Sequence, residues 1–132
     1  MKKLTNEKGQ ALLEIVVALA VVVIVVSALV KLITISIKNA SFARNESLAT
    51  KYAQEAIEKV RAYRDENTWD AFVSSCSSKP DLGLSDPPPP FSLLPISCAD
   101  SGDSRTVKVT VSWTDAQGTH ESELTTYLTN WQ

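Results

Sequence analysis

One carboxylate, Glu14, interrupts a segment from Ala11 to Val30 that otherwise carries no charge. A carboxylate at the centre of a membrane helix costs ~2.5–3.5 kcal/mol, and less towards a helix end, so its presence needs a physical reason. In one interpretation Glu14 lies at the headgroup boundary, where the dipole at a helix N-terminus favours negative charge. In the other, the chain is cut after Gly9, and the new ammonium group on Gln10 lies one helical turn from Glu14 on the same face. A membrane carboxylate beside a free amine can pair charges within one chain or between neighbouring chains.

The remaining residues that could perform chemistry are few and widely separated. One histidine and two cysteines exclude the usual multi-ligand zinc site, and His120 has no cysteine or serine arranged around it as a nucleophile. We therefore interpret His120 as a solvated strand residue, expect no metal or cofactor, and consider an enzyme the weakest functional class. Cys76 and Cys98 lack the CxxC spacing of redox catalysis. On an exported domain, a pair that spans a stretch rich in proline and glycine favours a disulfide over two unrelated buried thiols.

Two further features have a binding interpretation beside a structural one. Trp69, Trp113 and Trp131 could form a sugar-binding platform, but tryptophans in a small domain more often pack in its core or at an interface. The run Pro87–Pro90 could dock into an aromatic groove of a partner, although a stiff surface loop is the simpler interpretation.

The length and the charge distribution indicate a membrane-inserted protein with one small domain. The chain has 132 residues, which is room for one such domain and one membrane-length segment. Thirteen basic and fifteen acidic residues provide no basic field for nucleic acid. Residues 1–9 have a net charge of +2, whereas residues 10–132 have −4. A basic head, an uncharged run and an acidic body are typical of a protein whose body is translocated.

A single long helix is predicted from about residue 10 to about residue 65. The apolar run extends to Ile37 with Lys31 as its one further charge, and as a helix it would span ~40 Å, more than a bilayer core of ~30 Å. A lone segment in lipid must satisfy its own backbone, which a helix does and a strand does not. No glycine or proline occurs between Gly9 and Pro80 to end the helix. Beyond the apolar run, a stripe at helical spacing comprises Leu48, Ala49, Tyr52, Ala53, Ala56, Ile57, Val60 and Tyr63.

The rest of the chain is predicted to be an irregular loop, residues 66–104, followed by a β-hairpin, residues 105–131. All six prolines lie in the first of these segments, which Cys76 and Cys98 would close into a loop. Apolar and polar residues alternate from Thr106 to Trp113, a turn-like Asp115–Gly118 follows, and Glu121 to Thr129 is predicted to be the second strand. The apolar face of the first strand consists of Val107, Val109, Val111 and Trp113. Packed against the helical stripe, the hairpin would form an α+β fold with a long N-terminal helix on a small antiparallel sheet.

The basic head is followed by Gly9-Gln10-Ala11-Leu12-Leu13-Glu14, which places glutamate at the fifth position after the glycine. This arrangement resembles the class III signal of type IV prepilins and pseudopilins. In that family a membrane aspartyl prepilin peptidase cleaves after the glycine and methylates the new amine. The resemblance implies cleavage between Gly9 and Gln10, N-methylation of Gln10, and an assembly role for Glu14, which would neutralise the N-terminus of a neighbouring subunit. It also implies that the α+β fold is type IV pilin-like.

Two later segments carry a second resemblance. They are the helix end from Ala53 to Arg61, with Arg64-Asp65 and Trp69 after it, and the strands Val109–Asp115 and Leu124–Leu128. These segments are similar to minor pilins called type IV pilus modification proteins. Together the two resemblances cover about residues 5–70 and 105–131.

We therefore expect a structural minor pilin or pseudopilin subunit with a leader (residues 1–9), a transmembrane and assembly helix (10–38) and an extracytoplasmic domain (39–132). Its partners would be the membrane, the prepilin peptidase, and other pilin subunits through the N-terminal helix. Lys2, Lys3 and Lys8 would hold the N-terminus in the cytoplasm, so that the subunit starts in the inner or cytoplasmic membrane and ends in an extracellular filament or at the cell surface. The alternative is a single-pass anchored binding module with an uncleaved N-terminus. A secretory signal peptide ending near Ser27-Ala28 fits less well, because the apolar run continues past that site.

Overall fold

The computed structural model describes residues 7–100 and 102–130, which form two helices and four strands. In chain order these are α1 (Glu7–Glu66), α2 (Trp69–Ser75), β1 (Phe91–Leu93), β2 (Ser97–Asp100), β3 (Ser104–Asp115) and β4 (Gly118–Thr129). The chain divides between Phe42 and Ala43 into two compact units. The predicted α+β fold is confirmed: the long N-terminal helix has an apolar first half, and its second half packs on a small antiparallel sheet, as in pilin-like folds.

Helix α1 has nearly the bounds that the sequence predicts. It begins three residues before the predicted start and ends one residue after the predicted end. At its C-terminus the side-chain amide of Asn67 donates to the carbonyl of Tyr63, at 2.9 Å. Thr68 then adopts an extended conformation, with φ −67° and ψ 155°, and its hydroxyl accepts a hydrogen bond from the amide of Ala71. Because this is the geometry of an N-cap, α1 stops here and α2 begins.

The core of the second unit lies between α1 and the sheet. Helix α1 contributes Ala49, Ala53, Ala56, Ile57 and Val60, each at most 5% exposed. The three alanines let the helix backbone approach the sheet closely, since the separation of packed elements depends on the side chains at the contact. Larger members of the predicted stripe, such as Tyr52, lie half-buried at its margins. The ring of Tyr52 meets that of Phe91 edge-on, with centroids 5.3 Å apart.

Strand β3 is the centre of the sheet. It pairs with β4 along its whole length, from Ser104 opposite Thr129 to Asp115 opposite Gly118, which confirms the predicted hairpin. Its other edge pairs first with β1 and then with β2, both antiparallel. The predicted apolar face is buried, with Val107, Val109, Val111 and Trp113 at most 2% exposed.

The pairings of β1 and β2 with β3 differ by one residue in register. Leu93 lies opposite Val111 and Cys98 opposite Val107, so one extra residue lies between them on the outer strand. An extra residue reverses the face on which alternate side chains lie. Leu93 and Ile96, an odd and an even position, are therefore both buried.

Residues 66–104 are more ordered than the sequence suggested, because they contain α2, β1 and β2. The sequence did not predict these three elements because they are short and because the strands depend on a distant partner. Helix α2 has seven residues and the two strands have three and four. Strands this short are formed by hydrogen bonds to β3, which local sequence patterns do not reveal.

Candidate functional site

The apolar half of α1 is uncovered in the part of the chain that the structure describes. Between Leu12 and Ile37, 18 large apolar side chains are 51–68% exposed. By length and composition this one helix can cross a membrane. The hydroxyls of Ser27 and Thr34 donate to the carbonyls of Val23 and Val30, at 2.7 and 2.9 Å. Both hydroxyls are thereby satisfied within the helix, as an apolar surrounding requires.

Gly9, Gln10 and Glu14 lie in the first turns of α1 and are exposed. Gln10 and Glu14 are four residues apart in a continuous helix, so they are neighbours on one face. No group among the described side chains forms a hydrogen bond or an ion pair with the Glu14 carboxylate. The lysines of the basic head lie outside the described side chains. Cleavage, methylation and the assembly role of Glu14 stay predictions.

The N-terminal glycine leaves room for a larger residue. A Cβ atom placed on Gly9 meets no other atom within 4 Å. The helix itself therefore does not require glycine at this position, since a Cβ there has open space.

Cys76 and Cys98 form a disulfide, with their Cα atoms 6.1 Å apart. Cys76 follows the last residue of α2, and Cys98 lies on β2, so the bond joins the short helix to the sheet. Cys76 is buried and Cys98 half-buried. The disulfide therefore lies inside the second unit, where it has a structural role.

Lys79 and Asp86 hold the segment between the cysteines. The Lys79 ammonium donates to Asp86 Oδ1, at 3.0 Å, and to the carbonyl of Leu93, while the Leu93 amide donates to the same carboxylate, at 3.1 Å. The hydrogen bond from Lys79 and that from the Leu93 amide hold the pKa of Asp86 below its usual value of 3.8. Sequence reasoning missed this pair; its one signal was a lysine and an aspartate on either side of a turn.

A small cleft of about 170 Å³ lies between this segment and α1. Tyr52, Glu55 and Lys59 form its helix wall, and Pro87 and Pro88 are among the residues of the opposite wall. A drug-sized ligand needs a pocket of ~300–1,000 Å³, so this cleft is too small for one. Half of the proline run faces this cleft, which favours the stiff-loop interpretation over a free docking ligand.

The tryptophans do not form one binding platform. Trp113 is 2% exposed and lies in the core, with its ring centroid 6.2 Å from that of Phe91. Trp69 is half-buried against Phe72, with ring centroids 5.5 Å apart. Trp131 lies outside the described residues. The packing interpretation therefore holds for the two tryptophans that are described.

The interpretation of His120 as a solvated residue is wrong. Its side chain is 24% exposed, its ring lies 5.4 Å from that of Trp113, and its Nε2 lies 3.0 Å from Asp115 Oδ1. Partial burial opposes ionisation of Asp115, but hydrogen bonds from the Gln117 amide, His120 and the Gly118 amide outweigh it and lower the pKa of the carboxyl. This cluster ties the hairpin turn to the core. The missed signal was that a two-residue turn places His120 directly opposite Trp113.

No family model, curated protein or solved structure matches the chain. Functional reasoning therefore depends on the chemistry of the described residues and on the N-terminal motif. Of the residues singled out from the sequence, the structure brings together Gln10 with Glu14 on one helix face, and Cys76 with Cys98 in a disulfide. The first pair lies on the exposed apolar helix and the second inside the folded domain.

Proposed function

We propose that the protein is a structural minor pilin or pseudopilin subunit, processed by prepilin peptidase and incorporated into a type IV pilus or a related filament. The observation that carries the proposal is the apolar half of α1, whose large side chains are all more than half exposed. Such a surface requires lipid or other apolar helices around it. A subunit that moves from the membrane into a filament core supplies first one environment and then the other.

Glu14 is the group that distinguishes these two environments. In lipid its carboxylate has no partner from the described side chains of its own chain. In a bundle of like helices it would meet the ammonium group of a neighbouring Gln10, which is a charge-assisted pair. Its position one turn inside the helix supports this role, because the amine and the carboxylate of adjacent subunits need only a small axial shift to meet.

The proposed topology places the N-terminus in the cytoplasm and the second unit outside. The basic head precedes the apolar run, and cytoplasmic flanks of membrane helices carry an excess of lysine and arginine. The Cys76–Cys98 disulfide supports an external domain, because disulfides persist in oxidising compartments.

The first experiment measures the intact mass and the N-terminal peptide of the membrane-extracted protein, with and without coexpressed prepilin peptidase. We expect a peptidase-dependent start at Gln10, with an added methyl group. Gly9→Leu should block processing without disturbing the fold, since a side chain at Gly9 has open space. Ala18→Leu, a matched change deeper in the same helix, should be processed normally. A chain that still begins at Met1 beside active peptidase would favour the single-pass anchored binding module instead.

A second experiment separates assembly from membrane insertion. Glu14→Gln keeps the size of the side chain and removes its charge, so we expect normal membrane insertion and loss of the subunit from sheared filaments. Ser27→Ala, also on the apolar half of α1, should leave incorporation unchanged because the Ser27 hydroxyl bonds only to its own helix. Normal incorporation of Glu14→Gln would remove Glu14 from the proposed mechanism.

A further inference from the structure

The outer edge of β4 is an open strand edge of unusual length for so small a domain. Strand β4 has twelve residues and pairs with β3 alone among the described strands. The opposite edge of the sheet is protected, because β1 and β2 are short and Pro95, which has no N–H to donate, lies between them. β4 contains no proline and no lysine, which are common means of blocking edge pairing.

The register shows which backbone groups face the open edge. In an antiparallel pair, hydrogen-bonded and non-hydrogen-bonded positions alternate. The amide of Asn130 donates to the carbonyl of Asp103, at 2.9 Å, which makes the even residues of β4 the ones bonded to β3. The odd residues turn their N–H and C=O groups outward. In agreement, the carbonyl of Thr129 accepts a hydrogen bond from Arg64, which lies beyond the sheet edge.

The outward-facing residues also form one exposed surface. The side chains of Thr119, Glu121, Glu123, Thr125, Tyr127 and Thr129 share the outer face of the sheet and are all exposed. Tyr127 is 72% exposed, and it is the one strongly exposed large apolar residue described outside α1. Lys108 pairs with Glu123 at 3.0 Å, whereas Glu121 has no ion pair among the described residues.

A cleft runs beside this edge. It measures about 390 Å³ and is lined by α1 on one side and by residues 124–126 of β4 on the other. Ile57 and Leu124 provide apolar lining, and Glu58 and Arg61 lie at the helix wall, where they form an ion pair. A strand added to β4 would place alternate side chains on the outer face and the others over this cleft.

We infer that the open edge of β4 binds an extended segment of another protein by strand addition, and that this segment alternates cationic or hydroxyl residues with apolar ones. Outward residues of the added strand lie beside Glu121 and Tyr127, where a cation and a β-branched or aromatic residue fit best. Inward residues cover the cleft and are apolar. Main-chain hydrogen bonds to Glu121, Glu123, Thr125 and Tyr127 of β4 hold the segment, and the side chains select it.

Charge argues against a second copy of the chain as the occupant. Residues 43–132 contain eight basic and thirteen acidic residues, a net charge of −5. Two such domains repel each other, whereas a cationic strand is attracted. The inference goes beyond the proposed function and does not depend on cleavage or on filament assembly.

The test measures amide hydrogen exchange by NMR on the full-length protein in zwitterionic detergent, with two synthetic peptides as probes. The basic peptide TVKVTVKVT places valines over the cleft and lysines on the outer face, and TVEVTVEVT is its acidic counterpart. We expect the basic peptide to slow exchange at Glu121, Glu123 and Thr125 by about tenfold near saturation, because these amides gain hydrogen bonds. The even residues of β4, already bonded to β3, should change little.

Two variants make the test specific. Thr125→Pro removes an outward N–H that β3 does not use, so the variant should keep the fold and bind the basic peptide about tenfold more weakly. Thr125→Val keeps this N–H and should bind the peptide normally. Glu121→Lys should reverse the preference between the peptides, by up to about fivefold. Absence of protection at the odd amides, or equal binding of both peptides, would overturn the inference. Protection of those amides without peptide, rising with protein concentration, would assign the edge to a second copy and also overturn it.

Discussion

Removal of the Cys76–Cys98 disulfide should destabilise the second unit without unfolding it. The bond joins two cysteines that are 22 positions apart, and in the chain-entropy model such a crosslink stabilises the fold by about 3 kcal/mol at 25 °C. For a unit of this size the same free energy corresponds to a fall in Tm of roughly 15 °C. The fold should persist, because Lys79 and Asp86 still hold the segment and Phe91 remains buried in the core.

The assay is urea unfolding of the full-length Cys76→Ala/Cys98→Ala variant in detergent, followed by tryptophan fluorescence. Trp113 is buried in the core and reports on loss of the sheet. Ser77→Ala, an exposed change beside Cys76, is the control and should stay within about 0.5 kcal/mol of the parent. Reduction of the parent protein should reproduce the variant. A loss of less than about 1 kcal/mol would refute the loop-closure reasoning, and loss of a cooperative transition would show that the disulfide is needed for folding.

Three further predictions concern the same unit. Val60→Ala removes two fully buried methyl groups and should cost about 2 kcal/mol in urea unfolding, whereas the exposed neighbour change Lys59→Ala should cost almost nothing. Asp86→Asn should reduce stability at neutral pH, and its difference from the parent should shrink as the pH falls below about 3.8. The reason is that the folded-state pKa of Asp86 is lowered, so its stabilisation is lost as the carboxylate is protonated. Gly118→Ala should lower stability by about 1–2 kcal/mol through backbone strain, because the φ of 132° is one that L residues rarely adopt. Steric overlap adds no cost, because a Cβ there meets no other atom within 4 Å.

The sequence predicted the long helix well because its signals are local and numerous. No glycine or proline interrupts the chain between Gly9 and Pro80, and the observed helix ends one residue beyond the predicted boundary. The stripe was also predicted, although three of its five buried members are alanines. The larger Tyr52 lies at the margin of the stripe, because only small side chains at its centre allow the helix backbone to approach the sheet closely.

The short strands were missed because their order comes from β3. The alternation of Phe91 and Leu93 changes phase before Ile96, so no period-two pattern extends over more than a few residues. The phase change is required by the extra residue in the register, and it becomes visible only when the partner strand is known. Proline at position 95 further suggested a loop, although proline is compatible with an edge strand.

The candidate site is predictable in part, for a different reason. The motif around Gly9 and Glu14 is read directly from the sequence, but the chemistry proposed for it needs groups that belong to other molecules. The open edge of β4 was not predictable, because it depends on which strand lies outside the hairpin and on which residues face outward.

The exposed half of α1 also constrains how assembly can proceed. Because its 18 large apolar side chains are 51–68% exposed, each would cost somewhat more than half of the ~1.5–3 kcal/mol of a complete transfer from an apolar environment into water, or roughly 16 kcal/mol or more together. That exceeds the total stability of a typical domain, ~5–15 kcal/mol. Under the proposed function the subunit therefore cannot pass through water alone, and each step out of the lipid must be matched by contact with neighbouring helices. Apolar contacts are similar in lipid and in a helix bundle, so the direction of transfer depends on the polar groups. Glu14 and Lys31 are the two charges of the apolar run, and Glu14, which costs less than ~3.5 kcal/mol in lipid near the helix end and can find an ammonium group in the bundle, favours transfer into the bundle.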